Sequence, residues 1–489
     1  MKRSKTLSFV IKLELCANSK EKNIIDKRIR VAKSLYNAGL SYLIKRLKGL
    51  RGDKDYRRLI AEKKDKDAVK GMTKEQKENY KKERTLALKE IEAKYGYSLQ
   101  HTIDYINSIY KSHFKCDVGS VIVQKLCERA FDAVEKTHYY KAKKVNFESL
   151  YRGNFSIEGR TNKDTLRFIG NKIKWFDLEI PVRIDKNNSY IMEALESRTK
   201  FVRLITETIR GKKRYFIELV QEGIPPKKNR HYGALKSTVG LDIGPSTIAI
   251  VSDDYVDLVS LKSIKLEKPQ AKINRLQRKM DRSRRANNPN KFNENRTIKR
   301  GNKDPWIESN NYKILKKSLA KEHRKLRINR KEFHEALANL IVSLGADIRV
   351  EKINFKSWQK KAKETTRNKQ NGKINKKKRF GKSILNCAPA MLLEIIDRKL
   401  RYCGANLKKI NTTKCKASQY DHITDTFNKK ELSERVHLAG GEMPIQRDIY
   451  SAFLIKNTMA DLESISRYKC KIDWKKFLVN YDIYKMQLA

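Results

Sequence analysis

The chain has 489 residues, of which 111 are Lys or Arg and 56 are Asp or Glu, and its formal net charge at pH 7 is +55. That length accommodates two or three domains with hydrophobic cores, and that charge predicts a large polyanion, nucleic acid first, as the partner. No run of about 18 apolar residues is present, which argues against a membrane-spanning protein, and the seven scattered cysteines contain no C-x-x-C pair, which argues against a disulfide framework and a standard zinc ribbon.

The first half of the chain changes its apolar periodicity twice. Residues 6–15 alternate apolar and polar side chains, which predicts a strand. Residues 20–50 follow a helical spacing with Lys and Arg on the outer side, 52–84 form a solvated loop or an exposed helix, and helical spacing then continues to about residue 142. From about 146 to 220 the period returns to two, so we expect short strands in a small antiparallel barrel or sandwich that the first strand completes.

The clearest boundary in the sequence lies at 224–230, where two consecutive prolines stand beside Lys and Arg and predict a stiff basic linker. Beyond it the apolar pattern predicts three strands, two long basic helices, a strand, a Lys-rich mobile loop, a helix, a strand and a final helix. We expect the strands at 239–243, 248–252 and 256–261, the basic helices at 273–285 and 312–344, and the remaining elements at 347–353, 360–382, 389–402, 405–411 and 449–457.

This second unit carries one acidic residue on its first strand, one on its fourth strand and one at the start of its final helix: Asp242, Glu351 and Asp448. The apolar neighbours of Asp242 alternate, so its side chain faces the other side of its strand. A ribonuclease-H-like nuclease needs this order, because three distant carboxylates converge at one edge of a mixed sheet and hold two Mg²⁺ ions about 3.5–4 Å apart. Asp242 would bridge both ions, with Glu351 and Asp448 each completing one coordination sphere.

Six short motifs follow one another along the chain: Leu35-Tyr36-Asn37-Ala38, Val239-Gly240-Leu241-Asp242-Ile243-Gly244, Leu276-Gln277-Arg278-Lys279, Asn329-Arg330-Lys331-Glu332-Phe333-His334, Val350-Glu351-Lys352-Ile353-Asn354 and Gln446-Arg447-Asp448. The last five resemble the split RuvC nuclease domain of TnpB proteins and compact type V CRISPR effectors, and the first is similar to the family's opening helical segment. The resemblance spans nearly the whole chain and is most specific from 239 to 454.

The resemblance implies a multidomain α+β fold, in which a small β-barrel (wedge) with a helical recognition insertion precedes a ribonuclease-H-like (RuvC) α/β nuclease domain with a long basic helical insertion. The implied parts are a wedge strand at 1–18, a helical recognition domain at 19–145, the wedge barrel at 146–224, a linker at 225–235, the first RuvC part at 236–411, a degenerate nucleic-acid-binding module at 412–443, and the last RuvC part with a tail at 444–489.

The resemblance also implies an activity: cleavage of double-stranded DNA beside a short motif, guided by RNA whose base pairing supplies the specificity. Asp242, Glu351 and Asp448 would be the catalytic and metal-binding residues. The expected cofactors are guide RNA and two Mg²⁺ ions, and the expected partners are guide RNA and target double-stranded DNA, with no membrane. We expect a monomer or homodimer in the prokaryotic cytoplasm, associated with the nucleoid.

The chain departs from the family between its last strand and final acid, where family members commonly carry a four-cysteine zinc module. Ser418-Gln419 is present, yet no cysteine stands at either pair. Cys415, His422 and His437 each have a zinc-ligating side chain but the wrong spacing, so we predict no zinc. Gln446 replaces an acid that is usual in the family, and Tyr450 stands where Asn is common; these changes leave the metal triad intact.

Nucleic-acid contacts are expected chiefly from the basic helices, where cations suit phosphate groups. The run 376–379, of three Lys and one Arg, is interpreted in the same way. Tyr36 could stack a base, although packing within its helix is the simpler role. The candidates are Arg275, Arg278, Lys279, Arg282, Arg284, Arg285, Lys321, Arg324, Arg327, Arg447, Tyr36 and Asn37.

Two other functions compete with the guided nuclease. A guided DNA-binding protein with little or no cleavage, similar to a repressor, is the main alternative, and the three intact acids speak against it. A DNA-strand transferase with the same nuclease fold is disfavoured, because nothing in the chain resembles a separate end-recognition domain.

Overall fold

The structure is a computed structural model of a mixed α+β protein. It has two compact units, residues 1–228 and 229–489. From residue 227 to 235 the predicted linker lies outside the described residues, as does the basic run 376–379. No helix in the described part is both long and apolar enough to cross a bilayer. The described residues are 6–62, 71–139, 142–151, 153–226, 237–262, 264–295, 297–299, 301, 304–361, 364–367, 372, 374–375, 380–429, 431 and 434–487.

The first unit is built on a curled antiparallel sheet of seven strands. Their spatial order is β2 (Ser156–Glu158), β6 (Thr199–Ile209), β7 (Lys212–Glu222), β1 (Ser8–Leu15), β5 (Leu178–Arg183), β4 (Lys172–Trp175) and β3 (Leu166–Ile169). The first strand of the chain lies in the centre, paired with β7 and β5. Phe9, Ile11, Leu13 and Leu15 are buried and alternate with more exposed residues, which is the pattern that predicted this strand.

Five helices lie between β1 and β2 along the chain: α1 (Ser19–Gly52), α2 (Lys54–Glu62), α3 (Lys74–Lys94), α4 (Leu99–His113) and α5 (Ser120–His138). Asn18 and Glu21 form a capping box that starts α1, since each side chain accepts a hydrogen bond from the other residue's backbone N–H. α3 buries no side chain, so this part of 52–84 is an exposed helix. The apolar pattern did not predict α6 (Ser189–Glu196), which connects β5 to β6.

The second unit contains a five-stranded sheet in the order β10 (Val256–Ser260), β9 (Thr247–Val251), β8 (Thr238–Ile243), β11 (Asp347–Glu351) and β12 (Lys408–Ile410). β9 is antiparallel to β8 and β10, whereas β11 is parallel to β8 and β12. The succession of strands and helices predicted for this half is present.

Helices cover both faces of this sheet. Val239, Leu241 and Ile243 of β8 belong to a core with α8 (Asn310–Leu344) and α11 (Pro389–Tyr402). Ala249 and Val251 of β9 belong to a second core with α13 (Arg447–Lys456) and α14 (Arg467–Met486). Because side chains alternate along each strand, the apolar residues of the sheet are distributed between its two faces, and helices cover each face.

The remaining elements lie in the connections of the second unit. α7 (Ile264–Ala286) packs along α8 and forms with it a helical pair. The shorter elements are α9 (Phe355–Trp358), α10 (Gly381–Cys387), α12 (Thr412–Cys415), the hairpin of β13 (Tyr420–Asp421) and β14 (Thr426–Phe427), and the hairpin of β15 (Val436–Ala439) and β16 (Met443–Gln446). Sequence analysis missed α14, since it treated α13 as the last clear helix and the residues after it as a tail.

Candidate active site

Asp242 and Glu351 stand at matching positions on neighbouring parallel strands. β8 and β11 pair from Thr238 with Asp347 to Leu241 with Val350. The same offset carried one residue further places Glu351 beside Asp242. Equivalent positions on parallel strands turn their side chains to the same face of a sheet, so the two carboxylates share one face, and both are partly buried.

Gly240 determines which helix covers that face. A Cβ added to it would overlap the carbonyl oxygen of Ala452 and the amide nitrogen of Lys456, both on α13. Because residues two apart on a strand face the same way, Asp242 also lies on the α13 side of the sheet. A glycine inside a strand often marks the close approach of another backbone, and this was the sequence signal that could have revealed the contact.

The third acid, Asp448, lies in the first turn of α13. Gln446 is the N-cap of this helix: its side-chain oxygen accepts a hydrogen bond from Ile449 N at 2.7 Å, and its own N–H donates to the Tyr481 hydroxyl at 2.9 Å. Sequence comparison with the family noted Gln446 only as the replacement of an acid. In the structure, Gln446 caps the N-terminus of the helix that carries Asp448.

Two buried cations fasten the other end of α13. Lys456, 6% exposed, forms ion pairs with Asp253 at 2.7 Å and with Asp473 at 2.6 Å. Arg349 of β11 pairs with Asp347 at 2.7 Å and donates to the carbonyl oxygen of Lys456 at 3.1 Å. Nothing in the sequence indicated either role, because the aspartates and the backbone carbonyl that these cations contact come from segments distant along the chain.

Glu351 and Asp448 lie close enough to Asp242 to influence its ionisation. The pKa of Asp242 lies well above its usual range, because burial disfavours its charged form and the negative charges of Glu351 and Asp448 add repulsion, while Arg447 acts in the opposite direction. Burial also raises the pKa of Glu351. A cation among these groups would remove the repulsion that raises the pKa of Asp242.

The donor set fits a hard divalent cation, since all three side chains offer carboxylate oxygens. In the part of the chain that the structure describes, no group of three Asp, Glu, His or Cys side chains is arranged closely enough to hold a metal ion. Mutual repulsion of like charges opposes such an arrangement when no cation is among them. Backbone register and the placement of α13 thus bring the acids to one region, without forming a closed ligand set.

The residues considered for a makeshift zinc site have other partners. Cys415 Sγ lies 3.6 Å from the carbonyl oxygen of Leu462. His422 Nδ1 lies 2.7 Å from the Tyr450 hydroxyl. The ring of His437 has its centroid 4.2 Å from that of Tyr450. Tyr450, placed where the family commonly has Asn, is thus the centre of an aromatic cluster in this module.

Most of the predicted phosphate-binding cations on α7 and α8 are exposed. Arg284 and Arg324 are half-buried, and the guanidinium of Arg284 lies 4.9 Å from the ring centroid of Trp306. The exposed members are Arg275, Arg278, Lys279, Arg282, Arg285, Lys321 and Arg327. The α7–α8 pair therefore presents many positive charges to solvent.

Three other nucleic-acid candidates have structural partners. Tyr36 is 6% exposed and packs under Arg129, whose guanidinium is 5.1 Å from its ring centroid. Asn37 exchanges two hydrogen bonds of 2.8 Å with the backbone of Glu148. Arg447 donates to the carbonyl oxygens of residues 431 and 434 at 2.9 and 3.2 Å. These contacts favour positioning roles for all three.

No family model matches the chain, and no curated protein matches it. Among solved structures it is similar to a Cas12f1–sgRNA–target DNA complex, with 10% identity, a TM-score of 0.49 and coverage of 93% of this chain and 99% of that one. It is also similar to a CRISPR–Cas12f ternary complex (12% identity, TM-score 0.27, coverage 90% and 82%). A third is a Cas12i1 R-loop complex before target DNA cleavage (11% identity, TM-score 0.27, coverage 94% and 65%). These neighbours are type V CRISPR effectors, the group that the motifs resemble.

Proposed function

We propose that the chain is an RNA-guided DNA endonuclease that hydrolyses phosphodiester bonds in a single ribonuclease-H-like (RuvC) site. The observation that supports this most directly is the approach of Asp242, Glu351 and Asp448 to one another from two neighbouring strands and one helix. Three acids that repel one another between one face of two inner strands and the helix that covers it are costly to keep. Their placement is explained if the site takes divalent cations during the reaction.

Asp242, Glu351 and Asp448 are the residues that would hold Mg²⁺. When bound, two such ions supply an activated water and stabilise the departing 3′ oxygen. Asp242 would provide ligand oxygens together with Glu351, its neighbour in the strand register, and Asp448 of α13. Gly240, Gln446 and Lys456 keep α13 against the sheet, and so hold Asp448 near the other two acids.

The rest of the molecule supplies binding energy rather than chemistry. The net charge of +55 and the exposed cations of α7 and α8 suit the phosphates of a guide RNA and its DNA target. Sequence would be read by base pairing between the guide and the target strand, with the first unit reading a short motif beside the target. On this proposal the protein acts in the prokaryotic cytoplasm at the nucleoid, as a monomer or a homodimer, and holds no zinc.

A guided DNA-binding protein without cleavage is the second candidate, since the net charge of +55 and the exposed cations of α7 and α8 would serve binding whether or not the three acids act on the DNA. The deciding experiment purifies the full chain from cells that carry its own locus, sequences the RNA that accompanies it, and offers matching duplex DNA with and without Mg²⁺. We expect co-purified RNA, cleavage that requires Mg²⁺, and loss of cleavage in Asp242→Ala. Asp254→Ala, at an exposed carboxylate of the same unit, should cleave normally.

Each result of this experiment has a distinct meaning. Absence of co-purified RNA would remove the guided mode. Guided binding without cuts by the wild type would favour the repressor-like protein. Cleavage that persists in Asp242→Ala would show that the site lies elsewhere.

A further inference from the structure

The first unit contains a cationic notch that the proposed nuclease chemistry does not use. It encloses about 360 Å³ between residues 26–33 of α1, the segment that precedes β2, and the hairpin of β6 and β7. Asp26, Arg30 and Lys33 come from α1, Tyr151 from the segment and Lys213 from the hairpin. The name "notch" refers to this cavity and these five side chains.

The charges in the notch do not balance. Its lining contains three cations and one carboxylate. Asp26 Oδ1 is already shared, since Lys213 Nζ lies 2.6 Å from it and the Tyr215 hydroxyl donates to it at 2.8 Å. An anion in the notch would therefore be attracted by the remaining positive charge.

Lys33 contributes a buried positive charge to this excess. Its side chain is almost completely buried, and its ammonium group donates to the carbonyl oxygen of Ser149 at 2.8 Å. Burial lowers the pKa of Lys33, and the positive charge of Lys213 lowers it further, against the opposing effect of Glu148. A second negative group near Lys33 and Lys213 would relieve this repulsion.

Tyr151 adds an exposed aromatic surface at the mouth of the notch. Its side chain is 82% exposed, and the guanidinium of Arg30 lies 5.9 Å from its ring centroid. Large aromatic side chains held in solvent beside cations are typical of surfaces that stack nucleic-acid bases. The cavity is of the size that holds one small organic group, and duplex bases are already stacked on their own neighbours.

We propose that the notch binds a single unpaired nucleotide of an RNA or DNA strand, with its base against Tyr151 and its phosphate near Lys213 and Arg30. The proposal rests on the proposed function only in that the chain handles nucleic acid. A ligand that fits the notch needs a flat ring for Tyr151 and an anionic group for the neighbouring cations. A nucleotide supplies both in one unit.

The test uses the full chain and six-nucleotide oligomers of uridine or thymidine with one photoreactive bromouridine or bromodeoxyuridine. After irradiation, mass spectrometry locates the cross-linked residue, and fluorescence anisotropy measures affinity in parallel. We expect a cross-link at Tyr151, and affinity about tenfold or more weaker in Tyr151→Ala. Tyr151→Phe keeps the ring and should retain both signals.

Two matched controls separate the notch from general electrostatic attraction. Lys213→Ala and Lys212→Ala remove the same charge from neighbouring residues of β7, but only Lys213 lines the notch. We expect Lys213→Ala to reduce the cross-link several-fold and Lys212→Ala to leave it unchanged. Tyr468→Ala removes an equally exposed tyrosine, 74% exposed, from the second unit, and should also leave it unchanged.

The outcomes are separable from those of the nuclease test. A stronger signal with the uridine oligomer would identify the ligand as a nucleotide of the guide RNA. A stronger signal with the thymidine oligomer would identify it as a nucleotide of a displaced DNA strand, and equal signals would indicate a subsite that accepts both. Unchanged affinity and cross-linking in Tyr151→Ala would overturn the notch proposal even if guided cleavage is observed. If Tyr151 is cross-linked in a chain that neither carries RNA nor cuts DNA, the notch proposal is supported and the proposed nuclease function is contradicted.

Discussion

Gly240 lies so close to the backbone of Lys456 that a Cβ added at position 240 would overlap the Lys456 amide nitrogen. We expect Gly240→Ala to displace α13 from β8 and to lower the free energy of unfolding by about 1–3 kcal/mol. Urea unfolding followed by circular dichroism measures this change. Gly52→Ala is the control, because an added Cβ there meets no atom within 4 Å. Equal destabilisation of the two variants would contradict the close packing of α13.

Asp242→Asn should stabilise the metal-free protein at pH 7. The folded pKa of Asp242 lies well above that of an unfolded chain, because of burial and the charges of Glu351 and Asp448. The folded state thus binds the proton more tightly, and the stability that this group contributes at low pH is lost as pH rises through the folded pKa. Thermal unfolding should give a higher melting temperature for Asp242→Asn than for the wild type.

Addition of Mg²⁺ to the same samples should reverse the order. The cation binds the folded wild type and raises its melting temperature by mass action, while Asp242→Asn, with fewer anionic ligands, should respond weakly. Asp254→Asn serves as the control, since Asp254 pairs with Lys476 away from the three acids. An equal response to Mg²⁺ in wild type and Asp242→Asn would show that the ion binds elsewhere.

Local patterns in the sequence were enough to predict most strands and helices of the second unit, including the three elements that carry Asp242, Glu351 and Asp448. Alternating Val239, Leu241 and Ile243 identified β8 and the opposite orientation of Asp242, because side-chain direction in a strand depends only on position. The register that sets Asp242 beside Glu351 was beyond this reasoning, since it is fixed by pairing between segments about a hundred residues apart. The ribonuclease-H-like order of elements predicted that the three acids converge, but not this register.

Other features depend on contacts that no local pattern reveals. Lys456 looks solvent-facing in the sequence, yet two aspartates from distant segments make its burial possible. α14 was missed because charged residues are interspersed among the aromatic residues Phe477, Tyr481 and Tyr484, which it buries against the core. The spacing of Phe477, Tyr481 and Tyr484 is nonetheless helical, so the sequence contained a periodic signal for α14 that the charged residues between them obscured.

Neutralising exposed cations on α7 should weaken nucleic-acid binding and its dependence on salt. Each phosphate contact that is lost reduces the slope of log affinity against log salt by about 0.9 on duplex DNA. We expect this from Arg275→Ala and from Arg282→Ala, measured by fluorescence anisotropy across a salt series. Lys316→Ala on α8 is the control, because Lys316 already pairs with Glu308 at 2.8 Å. A slope that is unchanged in both α7 variants would remove this face from the interface.

Treatment with a chelator that removes zinc should leave the stability of the protein unchanged. His422 contacts Tyr450, and Cys415 contacts the carbonyl oxygen of Leu462, so the structure around the two hairpins of residues 420–446 is held by hydrogen bonds and aromatic packing. We expect elemental analysis to find no stoichiometric zinc in the protein as purified, and EDTA to leave the melting temperature of that protein, kept free of added Mg²⁺, unchanged. One tightly held zinc per chain would overturn this prediction.

Acidification should destabilise the same module through His422. Its side chain is 1% exposed, and burial lowers its pKa to about 4, whereas an unfolded histidine titrates near 6.5. Between these values the unfolded chain binds the proton and the folded one does not, so the stability present above pH 6.5 is lost as pH falls toward 4. The loss from this one group amounts to about 3 kcal/mol.

His422→Asn tests this directly, because Asn keeps a polar atom near the Nδ1 position but does not titrate. Unfolding free energies measured by urea between pH 7 and pH 4.5 should fall less steeply for the variant than for the wild type. Some slope will remain, since burial also lowers the pKa of His334 to about 4. Parallel curves for the two proteins would show that His422 is protonated without a loss of stability, and would contradict this prediction.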